Sequence, residues 1–119
     1  MRDYKKLIVW ERAHLLAVNV YKITKRFPKE ELYGITSQIR RAVISIPTNI
    51  VEGSGRLTSK EFSRYLSIAA GSASEVEYLI MLSKELAFIN EQESNPLLTE
   101  IDEIKKMLHS FQIKINSNS

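Results

Sequence analysis

The chain has 119 residues, of which 44% are hydrophobic, and a formal net charge of +3. This length and composition suit a single folded domain over residues 1–119 and exclude a disordered chain, while the lack of cysteine excludes disulfides and thiolate metal sites. No apolar run is long enough for a signal peptide or a membrane span, so a cytoplasmic location without a membrane partner is predicted.

Apolar residues at steps of three and four predict four helices in chain order, over residues 8–27, 34–53, 58–89 and 95–115, with a frayed tail at 116–119. A capping box from Thr58 to Glu61 marks the start of the third helix. Asn95 followed by Pro96 marks the start of the fourth. Because short connections favour antiparallel neighbours, the predicted fold is an all-α, up-down-up-down four-helix bundle.

Two positions oppose local helix propensity. Pro47 lies inside the second predicted helix, where proline costs about 3 kcal/mol, and Gly71 lies inside the third, where glycine costs about 1 kcal/mol relative to alanine. We expect tertiary packing or a function to hold Pro47, and close approach of another helix to account for Gly71. The first and third helices also carry more apolar surface than one seam needs, which predicts a subunit interface.

Positive charge is concentrated in the first half of the chain. Residues 1–64 carry 13 Lys and Arg against 6 Asp and Glu, whereas residues 65–119 carry 4 against 8. Five cations form the strongest basic cluster and are the candidate nucleic-acid contacts: Arg40, Arg41, Arg56, Lys60 and Arg64. Arginine forks suit phosphates, and Tyr33 or Tyr65 could stack on bases. The alternative is a solvated face with ion pairs to neighbouring carboxylates.

Polar residues on the second and third helices form a second candidate constellation: Asn49, Glu52, Ser72 and Glu75. A partly buried carboxylate needs a hydrogen bond or a cationic partner, and nearby arginines would supply one. We interpret the group as a structural network that fixes helix register, in preference to a catalytic one.

No motif for catalysis or metal binding emerges. The spacing Glu11-x-x-His14 matches one half of a di-iron site in a helix bundle, but such a site needs the motif twice. No serine is paired with a histidine by any recognisable motif. We therefore predict a protein that is not an enzyme and that has no cofactor and no metal site.

The segment from Gln38 to Arg56, which contains Pro47, Asn49 and Glu52-Gly53, resembles the hallmark of a bacterial family. Its members are called four-helix-bundle proteins or 23S rRNA intervening-sequence proteins. Val9-Trp10, Phe27-Pro28 and Gly71-Ser72 extend the resemblance over nearly the whole chain. The resemblance implies a left-handed antiparallel bundle that assembles as a ring-shaped homopentamer. The accessory variability protein of diversity-generating retroelements is similar in fold, and it binds a reverse transcriptase and nucleic acid through a basic surface.

These observations lead to one functional hypothesis and one alternative. The hypothesis is a non-enzymatic homo-oligomer, with itself as a partner, that binds RNA or a ribonucleoprotein through phosphate contacts from the five cations of the basic cluster. The alternative is an adaptor or assembly scaffold that recognises another protein and contacts no nucleic acid.

Overall fold

The computed structural model describes residues 3–117, and these residues form four helices and no strand. The helices are α1 (Ile8–Thr24), α2 (Ile35–Ser54), α3 (Ser59–Glu85) and α4 (Glu91–Ser117). Two single 3₁₀ turns, Tyr4–Lys6 and Lys29–Glu31, precede α1 and α2. The predicted all-α, four-helix class is therefore confirmed.

The core is a continuous apolar cluster to which all four helices contribute. Its largest fully buried side chains come from the stripes that the sequence predicts: Leu16 and Val20 of α1, Ile39, Val43, Ile46 and Ile50 of α2, Phe62, Leu66 and Ile80 of α3, and Ile101, Ile104 and Leu108 of α4. Burial of each such side chain contributes about 1.5–3 kcal/mol. This burial is the main source of stability for helices of this length.

Side-chain contacts join neighbouring helices of the bundle. Ser45 of α2 meets Ser72 of α3, and Gln112 of α4 donates hydrogen bonds to the Ser63 carbonyl and the Ser67 hydroxyl. On the remaining side, Arg12 of α1 pairs with Glu100 of α4, and the hydrogen bonds that Arg12 donates to this carboxylate raise the pKa of Arg12.

The last helix begins earlier than the sequence predicts. Its first residue is Glu91, and Pro96 lies inside it. Asn90 accepts from the Glu93 amide at 2.8 Å, and the Glu93 carboxylate accepts from the Asn90 amide at 3.1 Å, which together make a capping box. The prediction that Asn95 caps this helix was therefore wrong. Residues 116 and 117, predicted to be frayed, belong to α4, and the rest of the predicted tail lies outside the described residues.

The third helix ends at Glu85, four residues before the predicted end at 89. Ala87 adopts a left-handed conformation with φ 62°, and the amide of Phe88 donates to the Ser83 carbonyl at 2.9 Å. With the bond from the Ala87 amide to the Lys84 carbonyl, this is a Schellman ending. Glycine normally marks that position, so no residue type in the sequence indicates this helix end.

The connection between α1 and α2 also differs from the prediction, because α1 ends at Thr24, three residues before 27. The segment is held by its own side chains. Phe27 is buried and its ring packs against Phe88, with centroids 5.5 Å apart. Arg26 forms an ion pair with Glu93 of α4. The connection is therefore part of the packed structure.

The predicted role of Gly71 was wrong within the chain, and another glycine makes the close approach. Apart from its chain neighbours and the backbone of its own helix, no atom of the described residues lies within 4 Å of where a Cβ at Gly71 would be. At Gly53, a Cβ would lie 2.7 Å from the Phe62 ring and 2.8 Å from Tyr65 Cβ. Gly53 thus lets α2 approach α3 closely. Pro47 is buried inside α2, which continues through it.

Replacing Gly53 with alanine should lower the free energy of unfolding by about 1–3 kcal/mol, because the added methyl overpacks the contact with Phe62 and Tyr65. The matched control is Gly55→Ala, where the added methyl makes only ordinary contacts and the backbone φ is −88°, so the substitution should raise it by about 0.4–1 kcal/mol by restricting the unfolded chain. Urea unfolding of both variants at one protein concentration tests this. Equal effects of the two substitutions would contradict the assignment of the close approach to Gly53.

Glu93→Gln should destabilise the protein at neutral pH but not in acid. The hydrogen bond from Arg26, and next that from the Asn90 amide, lowers the pKa of Glu93 below its ordinary 4.5. A lowered folded pKa gives stability that is present above 4.5 and lost as the pH falls through the folded value. Urea midpoints should therefore differ from the wild type at pH 7 and converge near pH 3. Glu85→Gln, at the exposed C-terminal end of α3, is the control and should not lower the urea midpoint at pH 7, because a negative charge there has no stabilising partner in the helix dipole.

Candidate nucleic-acid interface

The five predicted cations do not form one cluster. Arg56 lies in the turn between α2 and α3, and Lys60 and Arg64 lie in the first two turns of α3. Arg40 and Arg41 lie near the other end of α2. Sixteen residues separate Arg40 from Arg56, which corresponds to about 24 Å at the helical rise. The structure therefore brings three of the five together and leaves two apart.

Two arginines contact one tyrosine at the α2–α3 turn. The guanidinium carbon of Arg56 lies 4.8 Å from the centroid of the Tyr65 ring, and that of Arg64 lies 4.7 Å from it. Arg56 also donates a hydrogen bond of 2.7 Å to the Tyr65 hydroxyl, and it lies 3.6 Å from the Glu52 carboxylate. These cation–π contacts limit the orientations of both guanidinium groups. We call Arg56, Lys60, Arg64 and Tyr65 the basic surface.

The local sequence explains why this surface forms. Gly53 permits the close packing of α2 on Phe62 and Tyr65, and the chain then turns within four residues. The Thr58 hydroxyl accepts from the Glu61 amide at 3.1 Å and starts α3, as predicted. Lys60 and Arg64 follow on the exposed side of that helix, one turn apart. Neither has an ion pair with a carboxylate among residues 3–117.

Arg40 is used inside the chain. Its Nε donates to the Thr24 hydroxyl at 2.8 Å, its Nη2 donates to the Tyr21 carbonyl at 3.2 Å, and its guanidinium lies 4.6 Å from the Tyr21 ring centroid. These groups belong to the last turn of α1, whose carbonyls have no helical donor. Arg40 therefore joins α2 to the end of α1, and its role as a nucleic-acid contact stays a prediction. Arg41 beside it is exposed.

The predicted polar network is smaller than expected. Asn49 donates to the carbonyl and hydroxyl of Ser45 at 2.8 and 2.9 Å, and Ser72 donates to the same hydroxyl at 2.7 Å. Asn49 and Ser72 are thus linked through Ser45, which the sequence did not single out. Glu52 and Glu75 are exposed and lie outside these hydrogen bonds. The only ion pair of Glu52 among the described residues is with Arg56.

An open apolar groove lies on the outer side of α1 and α2. It has a volume of about 580 Å³. Its lining consists of Trp10, His14, Ala17, Val18, Tyr21, Lys22, Lys25, Ile44, Pro47, Thr48 and Val51. We call it the α1–α2 groove. The surplus apolar stripe of α1, with Trp10, Ala17 and Tyr21, was the signal for it.

Neither histidine takes part in a metal site among the described residues. His14 stacks on Trp10 with the two rings 5.2 Å apart and 6° from parallel, and Glu11 is exposed. Within residues 3–117, no three His, Asp or Glu side chains lie close enough to hold a metal ion. Nor is any helix in that range both long and apolar enough to cross a membrane.

Comparisons with known proteins agree with the fold. The sequence profile of the family described as 23S rRNA-intervening sequence protein matches residues 5–110. A crystal structure of a protein with unknown function from the S23 ribosomal protein family of Bacteroides thetaiotaomicron is similar, with a TM-score of 0.80 and 26% sequence identity. The similarity covers 88% of this chain and 98% of that one. No curated protein matches the sequence.

Arg40→Ala should lower the free energy of unfolding by about 1.5–3 kcal/mol, because it removes charged hydrogen bonds to the end of α1. Arg41→Ala, at the exposed neighbouring position, is the matched control and should change it by less than about 0.5 kcal/mol. Thermal or urea unfolding measures both. Equal stability of the two variants would show that the contacts of Arg40 with Thr24 and Tyr21 do not hold α1 on α2.

Proposed function

Because the chain belongs to the 23S rRNA-intervening sequence protein family, we propose that it is a non-enzymatic, self-assembling helical bundle of the cytoplasm that binds RNA or a ribonucleoprotein. The observation that supports this most is the basic surface, where Arg56 and Arg64 both lie against Tyr65 beside the exposed Lys60. Arg41 provides a further, separate cation on α2.

The chemistry of the basic surface suits phosphate. A guanidinium that stacks on a ring keeps its N–H edge available, and that edge matches two oxygens of a phosphate. The carboxylate that pairs with this surface among the described residues, that of Glu52, is exposed and lies 3.6 Å from Arg56. A surface ion pair of this kind is worth little, so an incoming phosphate can replace it. Three cations within two helical turns would neutralise neighbouring phosphates of one strand.

The same geometry favours contacts to the backbone over contacts to bases. The Tyr65 ring already contacts two guanidinium groups and is half-buried, so it offers little surface for a base. Tyr33 is 94% exposed, but it precedes α2 and lies at the end of that helix opposite to the basic surface. Binding should therefore depend on phosphate positions and only weakly on base identity.

Self-assembly is the second half of the proposal. The proposed form is the ring of five left-handed, up-down-up-down bundles that the sequence resemblance implies. It is supported by the α1–α2 groove, since an open apolar surface of this kind marks an interaction site. The relation to the accessory variability protein of diversity-generating retroelements stays a prediction. A ring would have roughly five times the mass of the 13.7 kDa chain.

The apolar groove also favours a second candidate function, that of an adaptor which binds another protein and no nucleic acid. The two candidates differ in one simple observation. A ribonucleoprotein purified at low salt carries RNA, which raises the ratio of absorbance at 260 nm to that at 280 nm until a high-salt wash removes it. An adaptor keeps a low ratio in both buffers.

The RNA proposal predicts salt-dependent binding through the basic surface. Affinity for a mixed-sequence RNA should fall as salt rises, with a slope of log K against log salt of roughly −2 to −3 for three phosphate contacts. The triple variant Arg56→Glu, Lys60→Glu and Arg64→Glu should lose most of this affinity and most of this slope. Fluorescence anisotropy with labelled RNA measures both.

The matched control reverses three exposed cations outside the basic surface and the α1–α2 groove, Lys29→Glu, Lys84→Glu and Lys106→Glu, and gives the same change of net charge. This control should lose much less affinity than the triple variant if the location of the charge matters. Circular dichroism should show that both variants keep the helical fold. Equal losses in both, or binding that does not respond to salt, would contradict the proposal.

A further inference from the structure

One exposed face of α3 has no packing partner within the described chain. Residues at steps of three and four along it point outward: Ile68, Gly71, Glu75, Tyr78 and Met81. Its apolar members are unusually open, with Tyr78 61% and Met81 50% exposed. We call this face the α3 ridge. Together with the α1–α2 groove it gives the molecule two unpartnered apolar surfaces on different helices.

We propose that the α3 ridge of one copy of this chain docks into the α1–α2 groove of a second copy. The inference rests on the self-assembly in the proposed function and assigns the two surfaces that meet. It is independent of RNA binding, because the basic surface belongs to neither the groove nor the ridge.

Gly71 is the first observation that supports this pairing. Glycine is unfavourable inside a helix, and no contact within the described chain requires it, because a Cβ there would meet no atom of another helix within 4 Å. An interface does require such a position where the backbone of one helix approaches another molecule closely. The missing side chain at Gly71 leaves a gap between the larger side chains of Ile68 and Tyr78. Side chains that line the groove of a second copy can pack into this gap.

The dimensions of the two surfaces agree. The groove follows α1 from Trp10 to Lys25, which is about 22 Å at the helical rise. The ridge follows α3 from Ile68 to Met81, which is about 20 Å. Apolar residues therefore meet apolar residues along nearly their whole length if the helices of the two copies are parallel to a common axis.

Two opposite charges define how the ridge of one copy aligns along the groove of the next. The bonds from Ser72 to Ser45 and from Arg40 to Thr24 relate the heights of α3, α2 and α1 along the bundle. Counting the helical rise from these bonds places Glu75 of α3 at about the height of Lys22 of α1. Both side chains are exposed, and neither has an ion pair among residues 3–117. Copies rotated about an axis along the bundle, without a shift, therefore bring Glu75 to Lys22.

The symmetry follows from the two surfaces being different. A ridge that enters the groove of the next copy leaves its own groove free for another ridge, so the contact is head-to-tail. Such a contact closes into a ring or continues as a filament. Pairing two grooves with the same register would instead place Lys22 and Lys25 of both copies together, and like charges oppose that contact.

Two variants each block one surface. Gly71→Arg places a large charged side chain on the ridge where there is space within the chain, and Ile44→Arg does the same in the groove, where Ile44 is 41% exposed. Sedimentation velocity at micromolar concentration should show a multiple of 13.7 kDa for the wild type and single chains for each variant. An equimolar mixture should form dimers, because each variant keeps the surface that the other has lost.

The control is Thr99→Arg, which adds the same side chain to the exposed face of α4 and should assemble like the wild type. Lys22→Glu and Glu75→Lys should each weaken assembly, and the two changes together in one chain should restore it. Circular dichroism checks that every variant remains helical.

The outcomes separate the two claims. A wild type that stays monomeric removes the proposed self-assembly and this inference with it, while RNA binding is judged by its own assay. A wild type that assembles while Gly71→Arg and Ile44→Arg also assemble overturns only the pairing of ridge and groove. A mixture of the two variants that stays monomeric overturns the head-to-tail contact.

Discussion

The close packing of α2 on α3 at Gly53 is the contact on which the rest of the structure depends. Because no side chain separates the helices there, Phe62 becomes fully buried and Tyr65 lies against the end of α2. The following turn then places Arg56 on Tyr65. The same packing lets Ser72 reach Ser45 farther along. One small residue thus determines both the helix register and the position of the basic surface.

Much of the fold could be predicted from the sequence, because apolar side chains recur at helical spacing and the capping box at Thr58 has a local signature. The missing parts have physical reasons. Ala87 has a left-handed backbone conformation that glycine usually adopts, so no residue type in the sequence indicated the end of α3. Asn90 and Glu93 form a stronger start than Asn95 and Pro96, and choosing between two adjacent signals needs the tertiary contact of Glu93 with Arg26.

The candidate site was predicted in part, and the errors have one cause. Residue type shows which side chains can bind phosphate, but it does not show which of them the fold already uses. Arg40 and Arg41 are adjacent in sequence, yet the first bonds to the end of α1 and the second faces outward. Lys22 and Lys25 were not predicted as site residues, because the groove beside them forms only when α1 packs on α2.

The difference in helix length has a consequence for the connection between α1 and α2. With 27 residues each, α3 and α4 extend past the 17 residues of α1 and the 20 of α2, and Phe27 covers their exposed end by packing on Phe88. The ten-residue link thus serves as a lid for the hydrophobic interior. Proteases should therefore cleave this link slowly despite its irregular backbone. A tag inserted there would expose the hydrophobic interior of the bundle.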